Sequence, residues 1–110
     1  MTSYNRINGV YAPNSYDLCT RVLRQEWGFD GVVMTDWFST QKGRASSAAA
    51  MRAGNDLIMP GGDAYKKEIV QAVKARTIAE EDLRRCCGNV ILSILNSATQ
   101  REYIDTFEEK

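Results

Sequence analysis

Leu23 to Trp37 reads LRQEWGFDGVVMTDW, and its parts come in a telling order: a helix end, a turn, an apolar strand and an acidic loop. Just upstream, Asn14 or Ser15 caps a helix in which Cys19, Val22, Leu23 and Trp27 recur at helical spacing, and Gly28 stops it. That spacing turns Val22, Leu23 and Trp27 toward a sheet. Asp30-Gly31 then leads into Val32-Val33-Met34, a short, wholly apolar run suited to a parallel strand covered on both faces. The run ends at Thr35-Asp36-Trp37-Phe38.

The same alternation extends outward. Thr2 to Ile7 predicts a first strand, followed by the turn Asn8-Gly9 and the loop Ala12-Pro13-Asn14. Thr40 to Ala53 predicts a helix rich in small residues (Ala45, Ala48, Ala49, Ala53), closed by Gly54. Leu57-Ile58-Met59 predicts a third strand, broken by Pro60-Gly61-Gly62, and a helix with Ile69, Val70 and Val73 follows. Thr77 and Glu80 have capping-box spacing ahead of a last helix carrying Leu83, Cys87, Val90, Ile91, Ile94, Leu95 and Ala98. The order β-α-β-α-β-α-α predicts an α/β fold with parallel strands side by side. Residues 1–78 form three βα units, 79–98 an amphipathic helix, and 99–110 a charged tail.

Composition narrows the chemistry. The chain has 110 residues, 14 basic and 14 acidic, and no histidine. A complete (β/α)8 barrel needs about 250 residues, so this chain is not one by itself. Neutral net charge gives no reason to expect nucleic acid as a partner, and no apolar run has the roughly 20 residues of a membrane-spanning helix. The start MTSYNRINGV does not read as a signal peptide, which says nothing about a longer parent. Without histidine there is no Ser-His-Asp device and no histidine-ligated metal, so catalysis must use carboxylates, hydroxyls, amines or backbone. Cys19, Cys86 and Cys87 have no metal-ligand spacing and read as reduced thiols, which tilts localisation toward a reducing, cytoplasmic compartment. No metal or cofactor is expected.

In parallel α/β folds, ligands bind at the C-terminal rim of the strands. Here that rim holds Asn5 to Asn8, Asp36 to Ser39 and Pro60 to Asp63. Asp36 is the acidic residue that directly ends an apolar strand; it is either a helix cap or a working carboxylate. Trp37 is either a core residue or a platform for a sugar ring. Asp56, at the opposite end of its strand, reads as a structural cap. Pro60-Gly61-Gly62 reads as a tight turn, with an anion-binding loop as the weaker alternative.

Three stretches carry a resemblance to a known family. SYNRINGVYA (Ser3 to Ala12), LRQEWGFDGVVMTDW (Leu23 to Trp37) and AGNDLIMPGG (Ala53 to Gly62) resemble, in order and spacing, segments of glycoside hydrolase family 3 β-glycosidases. The resemblance covers about Met1 to Ser97. It implies that the chain is the last three βα units of a (β/α)8 catalytic barrel plus the helix leading toward the next domain. It also implies that Asp36 is the nucleophile forming a covalent glycosyl-enzyme, that Tyr4 lines the pocket, hydrogen-bonds Asp36 and packs on the sugar, and that Trp37 flanks the aglycone. Two departures stand out. Thr35 replaces the commoner Ser, and Phe38-Ser39-Thr40 replaces a frequent Gly-Ala, which puts the aglycone preference in question.

A retaining glycosidase needs a second carboxyl about 5–5.5 Å from the first. The chain offers no convincing partner for Asp36, and the resemblance places the acid/base elsewhere in a parent. The chain alone is therefore expected to be inert, and its open sheet edges are expected to drive self-association. The expected substrate of the parent is a β-glycoside or oligosaccharide, with β-glucoside preferred. The alternative is a non-catalytic α/β module that binds a sugar or a partner through Tyr4, Trp37 and Phe38.

Overall fold

The computed structural model describes residues 1–97. Three extended segments lie side by side in parallel, with Thr2 opposite Thr35 and Met34 opposite Leu57. Backbone bonds stitch them together: Thr2 N–H to the Met34 carbonyl (2.8 Å), Asp36 N–H to Thr2 (3.1 Å), Thr35 N–H to Leu57 (2.9 Å) and Leu57 N–H to Val33 (3.2 Å). The segment ending in Asp36 is thus the middle one. The contacts are single bridges, shorter than the strands the sequence predicts. Each outer segment has a neighbour on one side only among the described residues, so pairing does not propagate. Val33 is buried but Val32 and Met34 are half-exposed and Leu57 exposed, so the expected burial of these runs on both faces is not met.

The predicted first strand is divided. Thr2 joins the parallel set, the chain bends at Tyr4 and Asn5, and the remainder forms an antiparallel hairpin of β1 (Arg6–Ile7) and β2 (Val10–Tyr11). Its turn residues Asn8 (φ 50°) and Gly9 (φ 80°) both take positive φ, the geometry whose twist suits a two-residue hairpin.

The next helix, Asp17–Glu26, is π-wound, ending with Trp27 N–H bonded to the carbonyl five residues back, Val22 (3.0 Å). Wider winding rotates the face away from the 3.6-residue expectation. Cys19 is buried as predicted, whereas Trp27, predicted to press on the sheet, is 73 % exposed.

Helix α1 spans Ser47–Ala53, seven residues shorter at its start than the Thr40–Ala53 expectation. Residues 40–44 are turns and bends, with Gly43 at φ 84°, and residues 45–46 lead irregularly into the helix. Ser46 sets the boundary: its Oγ accepts from Ala49 N–H (3.2 Å). The Glu68 carboxylate caps the same end, accepting from the Ser46 hydroxyl (2.8 Å) and Ser47 N–H (2.9 Å). Glu68 lies on α2 (Asp63–Lys74), so this contact also ties the two helices together. At the other end Gly54 adopts φ 121°, and a Cβ there would meet Thr20 Oγ1 at 2.8 Å.

Helix α3 spans Glu80–Leu95. The expected Thr77–Glu80 box does not form. The Thr77 hydroxyl donates back to Ala72, closing α2, and Asp82 takes the boundary by accepting from Ala79 N–H (3.2 Å). Cys86 faces inward, its Sγ 3.2 Å from the Asn55 carbonyl, while Cys87, the predicted inward residue, is exposed. Ile91, Leu92, Ile94 and Leu95 are each more than half exposed. Ala98 and the predicted tail lie outside the described residues.

The core is made of small residues, Ala45, Ala48, Ala50 and Ala53 with Val33 and Ile78, around a buried polar frame. Asn55 donates to the Pro13 (2.8 Å) and Ala50 (3.0 Å) carbonyls and accepts from the Thr2 hydroxyl (2.9 Å). Asp56 accepts from Arg24 (2.7 Å), Val33 N–H (2.9 Å) and Asn89 (2.9 Å). Its structural role, expected from its place before a strand, is thus visible in three bonds.

Candidate active site

At the end of the middle segment the chain makes a tight turn on Asp36. The Asp36 carbonyl accepts from the Ser39 hydroxyl (2.9 Å) and Ser39 N–H (3.2 Å), and Phe38 N–H reaches across to the Met59 carbonyl (3.1 Å). Phe38 is held at φ 58°, a left-handed conformation that non-glycine residues seldom adopt. On the neighbouring segment, Met59 N–H donates to the buried Thr35 Oγ1 (2.9 Å). Asp36 is therefore fixed from both flanking segments.

The Asp36 carboxylate is half-buried and its Oδ1 accepts from Trp37 N–H (2.7 Å). It caps no helix: α1 begins eleven residues later on its own cap, Ser46. Of the two bare sequence readings, the cap is thus set aside. Tyr4 is brought alongside, its hydroxyl donating to the Trp37 carbonyl (2.7 Å). Loss of solvent, with the neighbouring Asp36 carboxylate adding to it, pushes the Tyr4 phenol above its ordinary pKa, and Arg44 opposes the shift. Trp37 is 54 % exposed, so its alternative reading as a core residue does not hold. It stands edge-on to Phe38, ring centroids 6.0 Å apart.

These residues border an open cleft of about 690 Å³ lined by Tyr4, Tyr11, Trp37, Phe38, Gln41 and Arg44. Asp36 is not itself among these lining residues; it is tied to them through the Trp37 N–H that its Oδ1 accepts. Sequence reasoning missed Tyr11, Gln41 and Arg44. Tyr11 arrives because the hairpin folds back, and Gln41 and Arg44 because the predicted helix start is replaced by turns. Arg44 N–H bonds to the Gln41 carbonyl (2.9 Å), and its guanidinium lies 5.4 Å from the Tyr4 ring centre. Of the other rim residues, Arg6 and Ile7 enter β1, while Gly62 precedes α2 and does not line this cleft. Among the described residues no group of three Cys, Asp or Glu is arranged to hold a metal ion.

The family model described as "Glycosyl hydrolase family 3 N terminal domain" matches residues 1–91. The chain belongs to glycosyl hydrolase family 3. A β-glucosidase of Rhizobium radiobacter is 44 % identical over 93 residues, covering 84 % of this chain and 11 % of that protein. The structure of β-glucosidase 3B from Thermotoga neapolitana in complex with glucose superposes with a TM-score of 0.79 at 35 % identity, over 91 % of this chain and 14 % of that one. A family 3 β-glucosidase of Bifidobacterium adolescentis gives 0.68 at 40 % identity, over 83 % of this chain and 13 % of that one. The chain thus spans only about a tenth of the length of such curated family 3 relatives as the Rhizobium enzyme. The matched region is the family's N-terminal domain, and it runs into α3, past residue 78.

Proposed function

We propose that this chain is the nucleophile-bearing segment of a retaining β-glucosidase, the last three βα units of the barrel in the family 3 N-terminal domain. One observation carries the reading. A half-buried carboxylate, Asp36, ends the central parallel segment, held by Trp37 N–H and flanked by an aromatic cleft. The β-glucosidase names of the relatives support the substrate class.

In this reading the Trp37 amide holds Oδ1 of Asp36, and Oδ2 attacks the anomeric carbon. The bond from that carbon to the leaving oxygen breaks as a carboxylic acid elsewhere in the parent protonates that oxygen. Water then attacks the glycosyl ester, giving its proton to the same acid group, now acting as base, and freeing Asp36. Tyr4 and Trp37 supply the ring surfaces for the sugar and its aglycone.

The acid/base lies outside the chain, so the chain alone turns over no aryl β-glucoside. Its unpaired segment edges and the exposed Ile91, Leu92, Ile94 and Leu95 favour self-association, to be read by size-exclusion chromatography across a concentration series. The test of function is a segment exchange. Residues 1–91 replace the matching segment of the Rhizobium radiobacter β-glucosidase. The reading expects the chimera to hydrolyse an aryl β-glucoside and Asp36→Asn to abolish it. A folded chimera whose turnover survives Asp36→Asn contradicts the assignment.

A further inference from the structure

Among the described residues, no acidic side chain forms an ion pair with Arg44, a cation that lines the cleft. Arg44 is exposed, lines the cleft directly and stacks over Tyr4, whose hydroxyl bonds the backbone next to Asp36. A second guanidinium, Arg6, lies 4.3 Å from the ring centre of Tyr11, the other tyrosine of the lining. The ion pairs among the described residues join Arg21 to Asp17, Arg24 to Asp56, Arg84 to Glu80 and Arg85 to Asp82. None of them uses Arg6 or Arg44. Both tyrosine walls of the cleft therefore carry a cation on a chain whose overall charge is zero.

Resting on the glycosidase reading above, we infer that Arg44 selects β-glycosides whose aglycone bears an anionic group, such as a carboxylated phenol. The aromatic ring of such an aglycone stacks against Trp37 and Phe38, and its carboxylate meets the planar guanidinium, which offers two parallel donors. The sugar being cleaved sits at Asp36, whose negative charge disfavours a second carboxylate on that same ring. The aglycone extends along the cleft away from that charge. Gln41, beside Arg44 on the same turn, offers a further donor.

Binding to the chain itself tests this without requiring turnover. 4-Hydroxybenzoate and 4-hydroxybenzamide have the same shape and differ in charge. Each is titrated while the two tryptophan indole N–H resonances are followed, with Trp27, which does not line the cleft, as the internal control. The inference expects the carboxylate to bind about three- to fivefold more tightly, the scale of a partly solvated ion pair. The Trp37 signal should shift, salt should weaken the preference, and Arg44→Gln should abolish it while leaving both indole signals of the free chain in place. Equal binding of the two ligands, binding of neither, or a preference that survives Arg44→Gln overturns it. A preference for glucuronate over glucose, with none between the two benzoate analogues, overturns the aglycone assignment by moving the anion to the sugar. Failure of the catalytic reading appears separately, in the chimera carrying Asp36→Asn.

Discussion

Asp56 and Asp36 stand at opposite ends of the same parallel segments, and their surroundings differ in kind. Asp56 is buried with every approach filled, by Arg24, Val33 N–H and Asn89. Asp36 is half-exposed, held by one backbone amide and bordered by the exposed rings of Tyr4, Trp37 and Phe38. One carboxylate is consumed in holding three elements together; the other is positioned by its backbone and left open on its side-chain face. The residue type is the same, and each lies within two residues of an apolar run. What separates them is which end of the strand they occupy, since the C-terminal rim is where parallel folds leave room for ligands.

Removing each carboxylate gives the sharpest contrast. Asp56→Ala strands the Arg24 guanidinium in a buried position, so it costs about 3–5 kcal/mol, read by urea denaturation followed through tryptophan fluorescence. A loss under 1 kcal/mol would show that the buried pair is dispensable and the contrast false. Ser46→Ala removes the cap of α1 and one donor to Glu68, at about 1 kcal/mol in the same assay.

The thiols probe the packed end as well. Burial pushes the Cys86 thiol up to about 11. Below pH 9 the thiol is neutral in both folded and unfolded chains and has no pH effect. Above pH 9 the unfolded chain gives up the proton first, so stability falls as pH rises from 9 toward 11. At neutral pH a thiol reagent should modify Cys87 alone in the folded chain and all three cysteines in denaturant. Rapid native modification of Cys86 would mean that α3 does not dock as described.

The smallest stability effect is expected at the open end. Asp36→Asn keeps an acceptor for Trp37 N–H and should change stability by about 0.5 kcal/mol or less. A change as large as that of Asp56→Ala would make Asp36 a structural residue like its counterpart.

Much of this contrast is legible in the sequence. The apolar runs, Gly28, Gly54 and the Asn8-Gly9 turn locate the segments, and the place of Asp36 after Val32-Val33-Met34-Thr35 separates it from Asp56 before Leu57. What escaped was set by long-range or non-ideal geometry. π-winding moved Trp27 outward, and it cannot be read from a 3.6-residue period. Glu68, 22 residues from Ser46, helped fix where α1 begins. The turns that consequently form over residues 40–44 bring Gln41 and Arg44 into the cleft. Cys86 and Cys87 are adjacent, so a register difference of one residue decided which of them is buried.

The chimera in which residues 1–91 replace the matching segment of a relative offers the most direct test of the central claim. With Asp36→Gly and added azide, the account predicts that lost turnover returns and that the product is the α-glycosyl azide, because azide enters from the face Asp36 occupied. Full turnover without azide, or a β-glycosyl azide, would contradict Asp36 as the nucleophile.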